Sequence, residues 1–238
     1  MIDTKTKIKI FAVLSVTVII AAILCVLYYY GLIPQKSYDG AHFGIETVKS
    51  TQDFNGNGTD DYTDILLGAK QDAANKPRYI DKYYAGGYPP DNEGVCTDVI
   101  WRALKNAGYS LKDMVDCDIR ANPQDYPNIS AADKNIDFRR VQNLKIFFDK
   151  YALSLTTDIS DIGQFQPGDI VIVNGTKHIG IISDKRNADG VPYVIHNAGQ
   201  PRREENALWR MSITAHYRFD SSNIPEYIKR QNLSRTLK

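Results

Sequence analysis

The sequence is poor in cysteine and carries almost no net charge. Only three cysteines, Cys25, Cys96 and Cys117, occur among 238 residues, too few for the disulfide framework of a small secreted domain. Cys25 lies in an apolar segment, so only the other two could form a disulfide in an oxidising compartment. The odd, low total of three cysteines instead favours free thiols. A net charge of +1 gives no electrostatic reason to expect nucleic acid as a partner.

Internal repeats and low-complexity tracts are also absent from the sequence. The length of 238 residues instead suits one globular domain with additional segments. Residues 1–9 predict a basic cytoplasmic tail, residues 31–52 a linker and residues 221–238 a C-terminal tail. The folded domain is expected between residues 60 and 220.

Charge is missing altogether from residues 10–30, a stretch long enough to span the roughly 30 Å hydrocarbon core of a bilayer. Three lysines precede this segment and three tyrosines close it. The positive-inside rule then predicts a single-pass membrane protein whose C-terminal domain is extracytoplasmic. A cleaved signal sequence is the alternative, but its apolar region would run to about 7–15 residues and end in small ones.

Within the predicted domain, helical and extended patterns occur in separate parts of the chain. Helix-spaced apolar residues come first, and short apolar or alternating runs typical of strands come second. This order predicts an α+β fold in which helices pack on an antiparallel sheet. Residues 113–133 show no clear period and are predicted to be irregular. The predicted strands are residues 170–173, 177–182, 191–197 and 212–219.

An acidic, glycine-containing loop occupies residues 53–64. Its oxygen-bearing side chains fall at loop positions 1, 3, 5, 9 and 12, with glycine at position 6, as a calcium-binding loop requires. Position 12 is aspartate rather than glutamate, which is similar to dockerin-type loops. A solvated Asn/Gly turn is the alternative interpretation. The pattern predicts a structural calcium ion held by Asp53, Asn55, Asn57, Asp61 and Asp64.

Cys96 and His178 have the features of a nucleophile and its base. Cys96 opens an apolar helical stretch, and a helix N-terminus is expected to lower the pKa of its thiol. His178 lies on a distant predicted strand, where its imidazole could act as general base and acid. A small buried cysteine and a hydrogen-bonded sheet histidine are the alternative interpretations.

The neighbouring strand supplies a candidate third member. A hairpin centred on Asn187 would pair Ile181 with Tyr193 and His178 with His196, so that His196 could orient His178. Asn197 is the alternative if the strand is bulged. The remaining thiol and imidazoles are predicted to be non-catalytic, because aspartates flank Cys117 and raise its pKa, and His42 and His216 are expected to be solvated.

These motifs together resemble the NlpC-type cell-wall cysteine peptidases of the papain-like superfamily. More closely, the chain is similar to an uncharacterised bacterial domain family within that superfamily, over residues 60–219. The resemblance implies a papain-like fold in which Cys96 attacks, His178 shuttles the proton and His196 orients it. The residues that carry the resemblance are 94–103, 166–171, 178–182 and 195–197.

The resemblance implies a membrane-anchored thiol hydrolase, a peptidase or amidase acting on peptidoglycan peptides without a catalytic cofactor. Val95, Thr97 and Asp98 depart from the residues that usually flank such a cysteine. Asp98 could therefore cap the helix or bind a substrate amine, and Tyr88 could donate to an oxyanion or pack within its loop. A thiol acyltransferase or lipid-ester hydrolase, and a non-catalytic wall-binding module, are the alternative functions.

Overall fold

The computed structural model describes residues 3–229, which fall into two compact units divided between Lys36 and Ser37. Helix α1, Thr4–Tyr29, accounts for most of the first unit, and the Asp3 carboxylate caps it by accepting from the N–H groups of Lys5 and Thr6. Its 26 residues have a mean hydropathy of 3.1 over an 18-residue window. The helix is therefore long and apolar enough to cross a membrane, and it begins earlier than predicted because Asp3 caps it.

Four longer helices occur in the described part of the second unit. Lys76, in the left-handed conformation with φ 50°, ends the first of them just before Pro77, as a proline stop predicts. The helices are α2, Asp61–Asn75; α3, Cys96–Asn106; α4, Leu111–Ala121; and α5, Val141–Tyr151.

The strands of this unit that lie within residues 37–229 form one antiparallel six-stranded sheet and one short parallel pair. The pair consists of β1, Arg78–Tyr79, and β2, Glu93–Gly94. The large sheet has the order β3-β8-β4-β5-β6-β7, which confirms the predicted α+β class with an antiparallel sheet. Its strands are β3, Leu153–Ser154; β4, Ile170–Val173; β5, His178–Arg186; β6, Pro192–Ile195; β7, Glu204–Glu205; and β8, Ile213–Arg218.

Apolar side chains cover both faces of the central strands. Ile170 and Ile172 of β4 belong to the main core beneath the helices, whereas Val171 and Val173 belong to a second cluster with Phe165. Alternate residues of a strand point to opposite faces, so a continuous run of four apolar residues indicates a strand covered on both sides. The buried position of β4 places β5, and with it His178, next to the centre of the sheet.

Three boundaries differ from those predicted. Residues 111–121 form α4 rather than irregular chain, because Leu111, Met114, Val115 and Ile119 follow a helical period and lie in the core. The domain includes residues 37–52, since Tyr38 forms a β-bridge with Arg186. It also extends beyond residue 220, where Ile224 and Ile228 are buried. Part of the predicted linker and part of the predicted C-terminal tail therefore belong to the packed domain. Residues 230–238 of that tail lie outside the described residues.

Candidate active site

Cys96 is the first residue of α3, and Asp98 fixes the start of that helix. The Asp98 carboxylate accepts from the Val95 N–H at 2.7 Å and from the Trp101 indole N–H at 2.7 Å. Arg139 donates to both of its oxygens at 2.9 Å. The predicted capping role of Asp98 is confirmed, and protein donors occupy both oxygens that would have to bind a substrate amine.

The thiol of Cys96 is buried beside the first residues of β5. Main-chain N–H groups of Ile179, Thr97 and Cys96 itself favour the thiolate, but burial outweighs them and raises the pKa of Cys96 to about 11. The predicted lowering of this pKa is therefore wrong, because desolvation opposes charge more strongly than the helix N-terminus favours it. The contact with Ile179 nevertheless places the sulfur next to the residue that follows His178.

His178 and His196 lie together, although not in the predicted register. His178 Nε2 is 2.8 Å from His196 Nδ1, and the two rings meet edge to face. Ile181 pairs with Ile195 rather than with Tyr193, and Arg186 pairs with Pro192. The turn is therefore centred further along the chain than Asn187, and an irregularity between Ile182 and Arg186 leaves the strands two residues away from the predicted register. Because side chains alternate with period two, such a shift keeps both histidines on the same face, where they meet diagonally.

Gly180 makes room for this diagonal contact. A Cβ atom at position 180 would lie 2.7 Å from the Val194 side chain and 3.2 Å from the Cβ of His196. Any larger residue would therefore push β6 away from β5 at the position where His196 approaches. The close packing of β5 against β6 thus explains why glycine occupies position 180.

A carboxylate lies behind the second histidine. His196 Nε2 is 3.1 Å from Glu205 Oε1, and Arg210 approaches the same oxygen at 3.3 Å. Both His196 and Glu205 are buried. Sequence reasoning missed Glu205 as a site residue, because β7 is two residues long and its pairing with β6 is not visible in the pattern of apolar residues.

In the resting site, both the Cys96 sulfur and the His178 imidazole are expected to be uncharged. Burial, followed by the neighbouring His196, lowers the pKa of His178 to about 4. Near neutral pH the pair is thus a thiol and a neutral imidazole rather than a thiolate–imidazolium pair. Any attack by Cys96 must transfer its proton to a base as the new bond forms.

Tyr79 is a second residue that sequence reasoning missed. Burial, then the charge of Cys96 and that of Asp81, raise the pKa of its phenol, so its hydroxyl lies within electrostatic reach of the sulfur. Its strand pairs with β2 at Gly94, and 46% of the residue is exposed. Tyr79 is therefore an accessible hydroxyl donor within electrostatic reach of the thiol.

Tyr88, the predicted oxyanion donor, lies against a later part of α3. Its ring is 4.6 Å from that of Trp101 and 5.4 Å from that of Phe138. Trp101 lies more than one helical turn beyond Cys96. The observed contacts are those of the loop-packing alternative.

Asn197 connects the end of β6 to the segment that carries Cys96. Its amide donates to the carbonyl groups of Pro77, at 3.2 Å, and Gly94, at 3.0 Å. The residue is fully buried. Asn197 thus holds the approach to α3 in place, while the contact with His178 is made by His196.

Two of the three residues predicted to be non-catalytic behave as expected. Burial and the carboxylates of Asp118 and Asp116 raise the pKa of Cys117, and His42 is exposed. His216 is instead buried, with Nε2 2.9 Å from Asp169 and its ring stacked on Phe165. The prediction that His216 is solvated is wrong, because Phe165 and Asp169 cover its side chain.

The predicted calcium loop is ordered by its own hydrogen bonds. Asp53 accepts from the N–H groups of Asn57 and Gly58, at 3.1 and 2.8 Å, and Gly58 has the positive φ, 88°, expected at a sharp turn. The side-chain amides of Asn55 and Asn57 donate to Asp64. Rotating those amides by 180° would present oxygen instead of nitrogen.

Asp61 is the predicted ligand that fits least well. It is fully buried, and its carboxylate accepts from the Phe54 N–H and the Tyr109 hydroxyl. Within residues 3–229, no group of three or more His, Cys, Asp or Glu side chains is arranged to hold a metal ion. Calcium binding by this loop therefore stays a prediction.

Calorimetric titration of the full chain with Ca²⁺ is expected to show binding heat, and Asp53→Ala is expected to weaken that binding. Asp53 supplies the first ligand and also orders the turn through two main-chain N–H groups, so its loss should reduce affinity at least about tenfold. Asp158→Ala, at an exposed carboxylate outside the loop, is the control. Absence of heat with the unsubstituted chain would reject the site.

Comparison with known proteins places the whole site within one family. The model of the family described as domain of unknown function DUF1287 matches residues 66–219, more than half of the chain. The uncharacterized protein YijF of Escherichia coli (strain K12) is 38% identical over 149 residues, which cover 60% of this chain and 72% of that protein. No solved structure matches. The resemblance is confirmed at the level of an uncharacterised bacterial domain family, and the chain belongs to the DUF1287 family.

Proposed function

We propose that the protein is a membrane-anchored cysteine hydrolase, a peptidase or amidase that acts on peptidoglycan peptides. The observation that carries this proposal is the convergence of three elements. The thiol of Cys96 at the start of α3 meets the Ile179 N–H of β5, and His178 of the same strand is 2.8 Å from His196. A nucleophile, a base and a group that orients the base are the parts that acyl transfer requires.

In this mechanism His178 removes the thiol proton as the sulfur attacks the carbonyl carbon. The main-chain N–H of Cys96 and the Tyr79 hydroxyl are candidate donors to the oxyanion. The protonated imidazole then gives its proton to the leaving amine, and water hydrolyses the thioester. No step requires a cofactor.

The papain-like relationship is part of the same proposal. A cysteine at the start of a helix packed against an antiparallel sheet, with its histidine on a central strand, agrees with the arrangement that the sequence resemblance implies. The cell-wall substrate rests on that resemblance, and the extracytoplasmic location rests on the lysines that precede the apolar part of α1. The proposed partners are thus the wall peptide and the membrane.

The pH dependence of alkylation by iodoacetamide tests the nucleophile without knowledge of the substrate. A thiol assisted by a neutral imidazole reacts at a nearly constant rate until that imidazole is protonated, and the pKa of His178 is about 4. An unassisted thiol slows about tenfold per pH unit below its pKa. Between pH 8 and pH 5, Cys96 is therefore expected to slow less than about threefold and Cys117 roughly a thousandfold.

The measurement uses the full chain in detergent micelles, with mass analysis of cysteine-containing peptides to separate Cys25, Cys96 and Cys117. Cys117 is an internal control, since it lies outside the site on α4. Parallel loss of reactivity at Cys96 and Cys117 would contradict base assistance and favour a wall-binding module.

A further inference from the structure

A buried acidic side chain extends the site beyond its three proposed members. Glu205 on β7 is buried, and its Oε1 accepts from two donors, the His196 ring at 3.1 Å and Arg210 at 3.3 Å. Burying a carboxylate is costly unless it is paired and hydrogen-bonded, as Glu205 is with Arg210 and His196. The proposed reaction as described above gives Glu205 no part.

The hydrogen bonds determine where the protons of both imidazoles lie. A carboxylate only accepts, so His196 must carry its proton on Nε2 and present a lone pair at Nδ1. That lone pair accepts from His178 Nε2, 2.8 Å away. His178 is thereby left with a lone pair on Nδ1, the state that a general base requires.

We propose that Glu205 is a positioning residue that fixes the tautomers of His196 and His178 and stabilises the positive charge that His178 acquires. This inference rests on the proposed function, because the tautomer matters only if His178 acts as a base. In the step concerned, the S–H bond of Cys96 breaks and an N–H bond forms at His178 Nδ1. The sulfur electron pair forms the new bond to the carbonyl carbon, and the imidazolium charge is shared towards Glu205 through His196.

Other charged and titratable groups surround this chain of contacts. Asp98 is neutralised by Arg139, and Arg203 lies near Asp72. Glu204, the neighbour of Glu205, is bound instead by Lys185 and by Ser183. The groups on elements that pack against the two histidines are Cys96 and Asp98 of α3, Tyr79 of β1, Arg203 before β7, Glu205 of β7 and Arg210 after it.

Two substitutions separate the proposed roles of Glu205. Glu205→Gln keeps an acceptor oxygen and removes the charge, so the tautomers should remain and alkylation of Cys96 at pH 7 should slow about tenfold. Glu205→Leu removes the acceptor as well, so the alternative Nδ1–H tautomers should appear and alkylation should slow up to about a hundredfold. Glu204→Gln is the matched control and should change neither.

The full chain, labelled with ¹⁵N-histidine and held in detergent micelles, reports the tautomers directly through the ring-nitrogen chemical shifts. Loss of signals in His178→Gln and His196→Gln assigns them. Cys117 should alkylate at the same rate in every variant. If Glu205 only packed against its neighbours, its substitution would loosen the site, and the alkylation rate of Cys96 would stay the same or increase. A decrease in alkylation that is specific to Cys96 therefore supports the inference.

Unchanged tautomers and unchanged Cys96 alkylation in Glu205→Leu would overturn the role of Glu205. If Glu205→Leu does not fold, Arg210→Met tests the same role. Removing the cation should strengthen the interaction of Glu205 with His196 and accelerate alkylation of Cys96 severalfold. An unchanged alkylation rate in Arg210→Met would also overturn the role of Glu205. Failure of the proposed function gives a different result, in which the unsubstituted chain alkylates Cys96 no faster than Cys117 while the tautomers remain as assigned.

Discussion

Replacing Cys96 with alanine is expected to abolish the release of peptide fragments from purified cell wall, with the rate falling at least about a thousandfold. The sulfur is the proposed nucleophile, and Cys117, the other described thiol of the second unit, lies outside the site on α4. The loss should appear in the turnover rate, because the variant keeps the surfaces that would bind the wall peptide.

The measurement is incubation of the full chain with wall fragments, followed by mass analysis of the products, which also identifies the bond that is cut. Cys117→Ala is the control and should retain full activity. Alanine at position 96 removes only one buried sulfur atom, so the domain should stay folded. Equal product release by Cys96→Ala and by the unsubstituted chain would exclude Cys96 as the nucleophile.

The site was predictable from sequence where its chemistry depends on single residues in recognisable positions. Cys96 follows an extended segment and opens a helix, and His178 begins an apolar strand after a hairpin signal. The contact between His178 and His196 was also predictable, although the register was not. A two-residue change of register keeps each side chain on the same face of its strand. The predicted contact between the two histidines is therefore found although the predicted pairing is wrong.

The energetics of the site and its outer members were not predictable in the same way. Whether a helix N-terminus lowers a thiol pKa depends on how deeply the thiol is buried, and the raised pKa of Cys96 comes from packing that the local sequence does not encode. Tyr79 and Glu205 lie on strands of two residues. Such strands are too short to show a period, so only the tertiary fold brings Tyr79 near the thiol and Glu205 to His196.

The fold shows the same division between local and long-range information. In the four-residue loop between β4 and β5, Asn174 and Gly175 have φ values of 58° and 76°, the left-handed conformation that this dipeptide favours in hairpin turns. Helix α4 was missed because charged residues separate its apolar positions and two prolines follow it. The domain edges were missed because contacts that hold residues 37–52, such as those of Tyr38 with Arg186 and of Val48 with Gln166, join parts of the chain that are distant in sequence.

Replacing Arg139 with methionine is expected to lower the free energy of unfolding by about 3–5 kcal/mol. Arg139 and Asp98 form a buried ion pair in which the side chains are 1% and 0% exposed. Methionine fills much of the same space but leaves the Asp98 carboxylate without its cation, and an uncompensated buried charge is costly. Urea unfolding of the full chain in detergent micelles, followed by tryptophan fluorescence, measures the change.

Arg120→Met is the matched control, because Arg120 pairs with Asp116 at 3.1 Å but is 60% exposed. An exposed pair contributes less than about 1 kcal/mol, so this variant should unfold almost as the unsubstituted chain does. Adding Asp98→Asn to Arg139→Met should restore part of the lost stability, since a neutral amide is less costly to bury than an unpaired carboxylate. If the double variant is no more stable than Arg139→Met alone, lost packing rather than unpaired charge explains the effect, and the ion pair is not what fixes the start of the helix that carries Cys96.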